Sequence, residues 1–168
     1  PGTFDIRIDI LSVNETAADD IIITKEIKTF IRNVERTPMI EHFSSSTCQP
    51  CVQVDINMTT LTHNNEGKYT YTKFPVAWPG VGDPYSTDEC LTRADYYEAY
   101  IVPVIALDGQ IHYSALSQED LDNSLNKTSY LDIVGAFETE NNIIKVTADI
   151  ISYIDMPDAK VFFSINEK

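Results

Sequence analysis

Apolar and polar residues alternate along the first stretch of the chain. Phe4, Ile6, Ile8 and Ile10 fall on one side and Asp5, Arg7 and Asp9 on the other, so residues 4–13 read as a half-buried strand. Residues 14–20 read as a turn. Residues 21–34 are rich in β-branched side chains and read as one long strand or two, with a helix over 25–36 as the alternative. Pro38-Met39-Ile40-Glu41-His42-Phe43 predicts a further strand. Past a serine turn, residues 52–63 read as a helix whose apolar side carries Val52, Ile56, Met58 and Leu61. Residues 68–74 alternate again and read as a strand.

The prolines and glycines of residues 75–85 make that stretch a loop. Ser86 or Thr87 caps a helix that runs to about residue 99, with Asp88 and Glu89 in its first turn. Residues 101–107 form a strand, Asp108-Gly109 a hairpin turn, and residues 110–115 the partner strand. Ser117, with Asp120 three residues on, opens a short helix to about residue 126. The pattern then returns to β: residues 130–137, 143–153 and 160–166 read as strands, separated by turns at 138–142 and 155–158.

This order predicts an α/β core, strand-helix-strand-helix-strand-strand-helix, over residues 37–127. An N-terminal β segment, 1–36, and a C-terminal one, 128–168, flank it. The flanks are either separate strands or one discontinuous β-sandwich.

Composition adjusts this picture in a few places. The 168 residues allow one ordinary domain, or a small domain with a β module. A formal net charge of −14 argues against nucleic acid and anionic membrane surfaces as partners, and reads as solubility. No apolar run reaches the length of a membrane span. No basic segment followed by an apolar run opens the chain, so an exported form would carry its signal outside these residues. Asn14, Asn57 and Asn126 stand in glycosylation sequons, which matter only in a eukaryotic secretory protein.

The candidate chemistry is Thr47-Cys48-Gln49-Pro50-Cys51, a C-x-x-C at a strand-to-helix junction. Two intervening residues let both sulfurs meet across the first helical turn. Unpaired N–H groups and the positive end of the helix dipole favour an anion there, which makes Cys48 the more acidic thiol and Cys51 the more buried, resolving one. Pro50 lies where a missing N–H costs little. Zinc would need further ligands, but Cys90 stands alone and His42, His63 and His112 are scattered, so no metal is expected. A purely structural disulfide stays open as an alternative. Cys90 is either an extra redox partner or a plain thiol.

Residues 38–126 resemble a thioredoxin-fold domain through the C-x-x-C after a strand and Val102-Pro103 opening a later one. The resemblance implies that Pro103 is cis and lies against the sulfurs. It further implies that the backbone of Val102 pairs with an extended peptide substrate and that Gln49 and Pro50 meet that substrate; Trp78 and Tyr85 either line its groove or pack the loop onto the core. The buried acid of thioredoxins falls on His42 here, with Glu41 one residue further back. Strand alternation lets only one of the two face the site and carry a proton to or from Cys51. Where thioredoxins usually have Trp-Cys-Gly-Pro-Cys, this chain has Thr47 and Gln49.

A narrower resemblance rests on Glu41-His42-Phe43, the C-x-x-C, Trp78-Pro79-Gly80-Val81-Gly82-Asp83-Pro84-Tyr85, and Arg93-Ala94-Asp95-Tyr96-Tyr97 leading to Val102-Pro103. These are similar to the bacterial 28-kDa outer membrane protein-related family of exported thioredoxin-like proteins, which are often lipoproteins. It implies a Gram-negative cell envelope, with a lipid anchor upstream of this chain. The expected activity is thiol–disulfide exchange with envelope proteins, with no cofactor beyond the redox-active disulfide. A non-catalytic envelope binding protein on the same scaffold is the alternative.

Overall fold

Strand β1 (Gly2–Val13) runs antiparallel to β2 (Thr16–Thr29), from Gly2 opposite Thr29 to Val13 opposite Thr16, with a register shift between Ile10 and Ser12. The computed structural model describes residues 2–13, 16–29 and 34–166. Pairing reaches Thr16, so the turn expected over 14–20 is shorter than its polar residues suggest. The helical alternative fails over 25–29, which pair with β1; residues 30–33 lie outside the described residues. Nor is β1 half-buried: Phe4, Ile6 and Ile8 are exposed, because a two-stranded ribbon offers no second layer to cover them.

The central elements are β3 (Met39–Ser44), α1 (Cys51–Asn64), β4 (Thr70–Pro75), α2 (Asp88–Tyr96), β5 (Val104–Leu107), β6 (Gln110–His112) and α3 (Gln118–Leu125). They build a four-stranded sheet in the order β4-β3-β5-β6. β3 and β4 are parallel, which requires a crossover, and α1 supplies it. β5 runs antiparallel to β3, and β6 to β5. The hydroxyl of Thr87 caps α2, and Ser117 with Asp120 forms the expected capping box on α3. Helix α2 stops at Tyr96 rather than near residue 99. Glu98 adopts a left-handed conformation (φ 52°), and the Glu98 and Ala99 N–H groups donate to the Asp95 and Ala94 carbonyls, closing the helix without a glycine.

Beyond the sheet, β7 (Leu131–Glu140) and β8 (Ile143–Ser152) form a second hairpin. Asn141 and Asn142 take positive φ at its turn, which is tighter than the expected 138–142. A single bridge joins Val34 to Ser129. Residues 160–166, expected as a third strand, have no regular structure. Val161, Phe162, Phe163 and Ile165 are exposed there, with no strand beside them to complete a ladder. The chain divides into two compact units, Pro1–Val34 with Thr128–Phe163 and Glu35–Lys127 with Ser164–Lys168.

Side chains of β3 alternate between two covered faces. Ile40 packs with Met58 and Leu61 of α1, Ile105 and Leu107 of β5, and Leu121 of α3. Phe43 packs on the opposite face with Val76, Ala94, Ala99 and Val104. The apolar face of α1 differs from the expected one. Cys51, Met58 and Leu61 are buried and Val54 packs beside them, whereas Val52 (58% exposed) and Ile56 (54%) face solvent. Met58 also accepts the Leu116 N–H on its sulfur at 3.4 Å. Met58→Ala should therefore cost about 2–5 kcal/mol of stability. Val52→Ala should change it by less than about 0.5 kcal/mol. Urea unfolding of the two variants checks the assignment; equal losses would refute this choice of face.

Candidate functional site

At the end of β3 the chain turns through Ser45 and Ser46 and enters α1 at the C-x-x-C. Cys48 and Cys51 are joined by a disulfide, with their Cα atoms 5.3 Å apart. The Cys51 N–H, at the open end of the helix, donates to Cys48 Sγ at 3.2 Å. Val102, whose bond to Pro103 is cis, brings its carbonyl oxygen to 3.5 Å from the same sulfur. Both cysteines are nearly sealed, Cys51 (1% exposed) slightly more than Cys48 (2%), and the Val102 carbonyl lies beside the Cys48 sulfur. Gln49 and Pro50, between them, are exposed.

The proline- and glycine-rich loop is fastened to this turn. The Val76 N–H donates to the Ser44 carbonyl at 3.0 Å, and Thr47 Oγ1 donates to the Pro79 carbonyl at 2.6 Å. The Asp83 carboxylate accepts the Ser46 N–H at 2.7 Å and the Tyr85 N–H at 3.0 Å. Slight burial opposes its ionisation, but these hydrogen bonds outweigh burial and lower its pKa. Gly82 (φ 76°) sits so close to Ala77 that a Cβ would lie 2.4 Å from the Ala77 carbonyl carbon, so the fold of this loop requires glycine. Of the two readings for the loop aromatics, Trp78 takes the packing one, against the Phe43 cluster; Tyr85 is exposed.

Below the disulfide, Glu41 and His42 leave β3 on opposite faces. Glu41 accepts two hydrogen bonds from Arg93 (2.6 and 2.9 Å) and one from the Tyr97 hydroxyl (2.6 Å). It raises the Arg93 pKa; burial, then Glu41, raises that of Tyr97. Glu41, one of the two candidate proton carriers, is thus instead the anchor of α2. His42 is fully buried and faces α1. Its Nδ1 lies 2.7 Å from the Tyr71 hydroxyl and its Nε2 3.3 Å from Asp55 Oδ1, without hydrogen-bond geometry to the latter. Burial lowers the His42 pKa to about 4 against the opposing pull of Asp55, so the ring is neutral at pH 7. Burial, then Asp55, raises that of Tyr71, which stays a phenol and shares a hydrogen bond with Nδ1. Asp55 also accepts from Ser44 Oγ at 3.0 Å and pairs with Lys73 Nζ at 2.9 Å.

Asp55, Ser44, Tyr71 and Lys73 escaped the reading of the sequence. Asp55 had a signal, one helical turn after Cys51; the others depend on the β3–β4 register, which sets His42 opposite Lys73. Cys90 is a free thiol in the first turn of α2, and its sulfur accepts from the Thr87 hydroxyl. Among the described residues, no group of three or more His, Cys, Asp or Glu side chains is placed to hold a metal ion, and no helix is long and apolar enough to cross a membrane. The sheet order, the disulfide opening α1 and the cis Pro103 beside Val102 make this unit thioredoxin-like.

No protein-family model matches the chain, and no curated protein does. Among solved structures, a malarial protein shares 16% identity over 55% of this chain and 100% of its own, with a TM-score of 0.40. A protein from Agrobacterium tumefaciens shares 16% over 67% of this chain, with a TM-score of 0.49; the chain spans 57% of its length. An uncharacterised thioredoxin-like protein from Clostridium perfringens shares 22% over 55% of this chain and 74% of its own, with a TM-score of 0.39. All three overlaps fall below a TM-score of 0.5, so the site stands on the geometry of this chain.

The buried imidazole makes stability depend on pH. Its pKa is lower folded (about 4) than unfolded (6.5), so its contribution is complete above about pH 6.5 and is lost as pH falls toward 4. The loss is of order 3 kcal/mol. Urea midpoints at pH 7, 5.5 and 4 should show that component in the wild type and not in His42→Gln. Parallel profiles would contradict a buried neutral histidine.

Proposed function

We propose that this protein is a thiol–disulfide oxidoreductase acting on protein substrates through Cys48 and Cys51. The observation that carries the reading is the environment of the Cys48 sulfur. It accepts the Cys51 N–H at a helix N-terminus, where a thiolate is favoured, and has the Val102 carbonyl beside it.

In the reducing direction, the Cys48 thiolate attacks a substrate disulfide, forming a mixed disulfide and releasing one substrate thiolate, which takes up a proton. The Cys51 thiol loses its proton and attacks Cys48 Sγ. The Cys48–Cys51 bond forms, the mixed disulfide breaks, and the second substrate thiolate leaves. A dithiol reductant restores the pair. Val102 offers its backbone to an extended substrate beside Pro103. Gln49, Pro50 and the exposed Tyr85 supply contact, with Trp78 setting the loop from within. Proton exchange falls to the His42 side of β3, because Glu41 is engaged by Arg93.

The motif resemblance to exported thioredoxin-like proteins of the 28-kDa outer membrane protein-related family supports a Gram-negative envelope as the setting. Envelope protein thiols and disulfides would then be the partners, and a lipid anchor would lie upstream of this chain. The net charge of −14 supports protein rather than nucleic acid as substrate. Burial of both sulfurs favours a second reading, a binding scaffold whose disulfide is structural.

Trapping separates the two. Reduced Cys51→Ser, incubated with a peptide disulfide such as insulin, should accumulate a covalent adduct that dithiothreitol releases. Cys48→Ser should accumulate little. If Cys51→Ser forms no adduct, the scaffold reading stands and the oxidoreductase reading falls.

A further inference from the structure

We propose that the Asp55 carboxylate, held by Ser44 and Lys73 beside the buried His42, takes the proton from the Cys51 thiol when the mixed disulfide is resolved. This rests on the oxidoreductase reading and assigns its proton acceptor to a residue outside the sequence motif.

The placement follows from helix geometry. Cys51 and Asp55 are four residues apart on α1, hence neighbours on one face. Helical side chains lean toward the N-terminus, so Asp55 leans toward the turn that carries Cys51. The carboxylate is oriented by what it touches. Ser44, the last residue of β3, donates to Oδ1; Lys73 pairs with Oδ2; His42 Nε2 lies 3.3 Å from Oδ1. That nitrogen is completely buried and makes no hydrogen bond. Asp55 is about one-third exposed whereas His42 is sealed, so of these two the carboxylate is the group able to pass a proton to solvent.

The neutral imidazole matters for a second reason. It borders the Asp55 carboxylate without adding a charge of its own. Its depressed pKa agrees with that neutrality and disfavours His42 as the carrier. The groups facing Asp55 are Ser44 and His42 from β3 and Lys73 from β4, with Tyr71 behind the imidazole. In the resolving step the Cys51 S–H proton moves to Asp55 as the Cys51 sulfur bonds to Cys48 Sγ. The Cys48–substrate bond breaks, the substrate leaves as a thiolate, and the proton on Asp55 returns through water to solvent or to that thiolate.

The rate of resolution decides the matter, because two roles for a carboxylate have opposite signs. One that merely repelled a thiolate would slow the step, so its removal would speed resolution. One that takes the proton speeds the step, so its removal slows it. The full chain, with Asp55 intact or as Asp55→Asn, is assayed for insulin reduction by dithiothreitol from pH 6 to 10. The expected result is a loss of at least about 10-fold at pH 7. The gap should close above about pH 9, where the thiol ionises unaided. In the Cys51→Ser background, Asp55→Asn should leave adduct formation unchanged, since the first attack needs no proton from Cys51; a merely structural role would slow both. Thiolate absorbance gives a second measurement that needs no turnover. In the Cys48→Ser background, Asp55→Asn should lower the Cys51 pKa by about one unit, as removal of a neighbouring negative charge requires. Resolution as fast as in the wild type, or faster, or an unmoved Cys51 titration would overturn the proposal while leaving the oxidoreductase reading intact. A wild type that reduces nothing would remove that reading first.

Discussion

Strand β3 is covered on both faces, and two consecutive residues of it, Glu41 and His42, are titratable and buried. An unpaired charge in such a place costs several kcal/mol, so whatever covers the strand must answer each of them. Alternation sends them opposite ways, and the answers differ. Glu41 stays paired, gripped by the Arg93 fork and the Tyr97 hydroxyl, which ties α2 and its C-terminal cap across the sheet. His42 stays neutral, hydrogen-bonded to Tyr71 through Nδ1 and with Nε2 toward α1. The two helices beside the site are therefore set by polar contacts as well as by apolar packing.

Topology then gathers the site. Because β3 and β4 are parallel, the turn that follows β3 and the loop that follows β4 emerge at the same edge of the sheet. Antiparallel β5 begins there, which delivers Val102 and Pro103. Segments far apart in sequence meet at the disulfide for this reason alone. The loop is then tied by atoms of the turn itself, Ser44 O, Ser46 N and Thr47 Oγ1, so loop and disulfide share one framework.

Much of this core is legible in the sequence because its signals are local. The C-x-x-C marks the start of α1, Thr87 and Ser117 mark their helices, and Asp108-Gly109 marks a hairpin. Asp108 proves to do more than turn the chain. Burial opposes its charge, yet Ser124, the Met39 N–H and Arg36 hold its pKa down and join the hairpin to α3 and to the start of β3. The misreadings come where a local pattern has two solutions. On α1, the series Val52, Ile56 and the series Cys51, Val54, Met58 both have helical spacing, and only the sheet beneath decides between them. Residues 160–166 have the composition of a strand, but a strand needs a neighbour, which composition does not supply. The Asp55 cluster joins α1, β3 and β4 through a register that no single segment encodes.

The same helix treats its two cysteines differently. Cys48 lies just before α1, where the Cys51 N–H at the positive end of the helix donates to its sulfur, and the first turn of the helix carries no carboxylate to oppose it. Cys51 is the first residue of the helix, and Asp55 follows it four residues on, a neighbouring position. In the reduced pair the helix start favours an anion at Cys48, while the carboxylate disfavours a second one at Cys51. In the proposed exchange, the thiol that attacks first is thus the one prepared as a thiolate, and the thiol that waits keeps its proton beside the group placed to remove it.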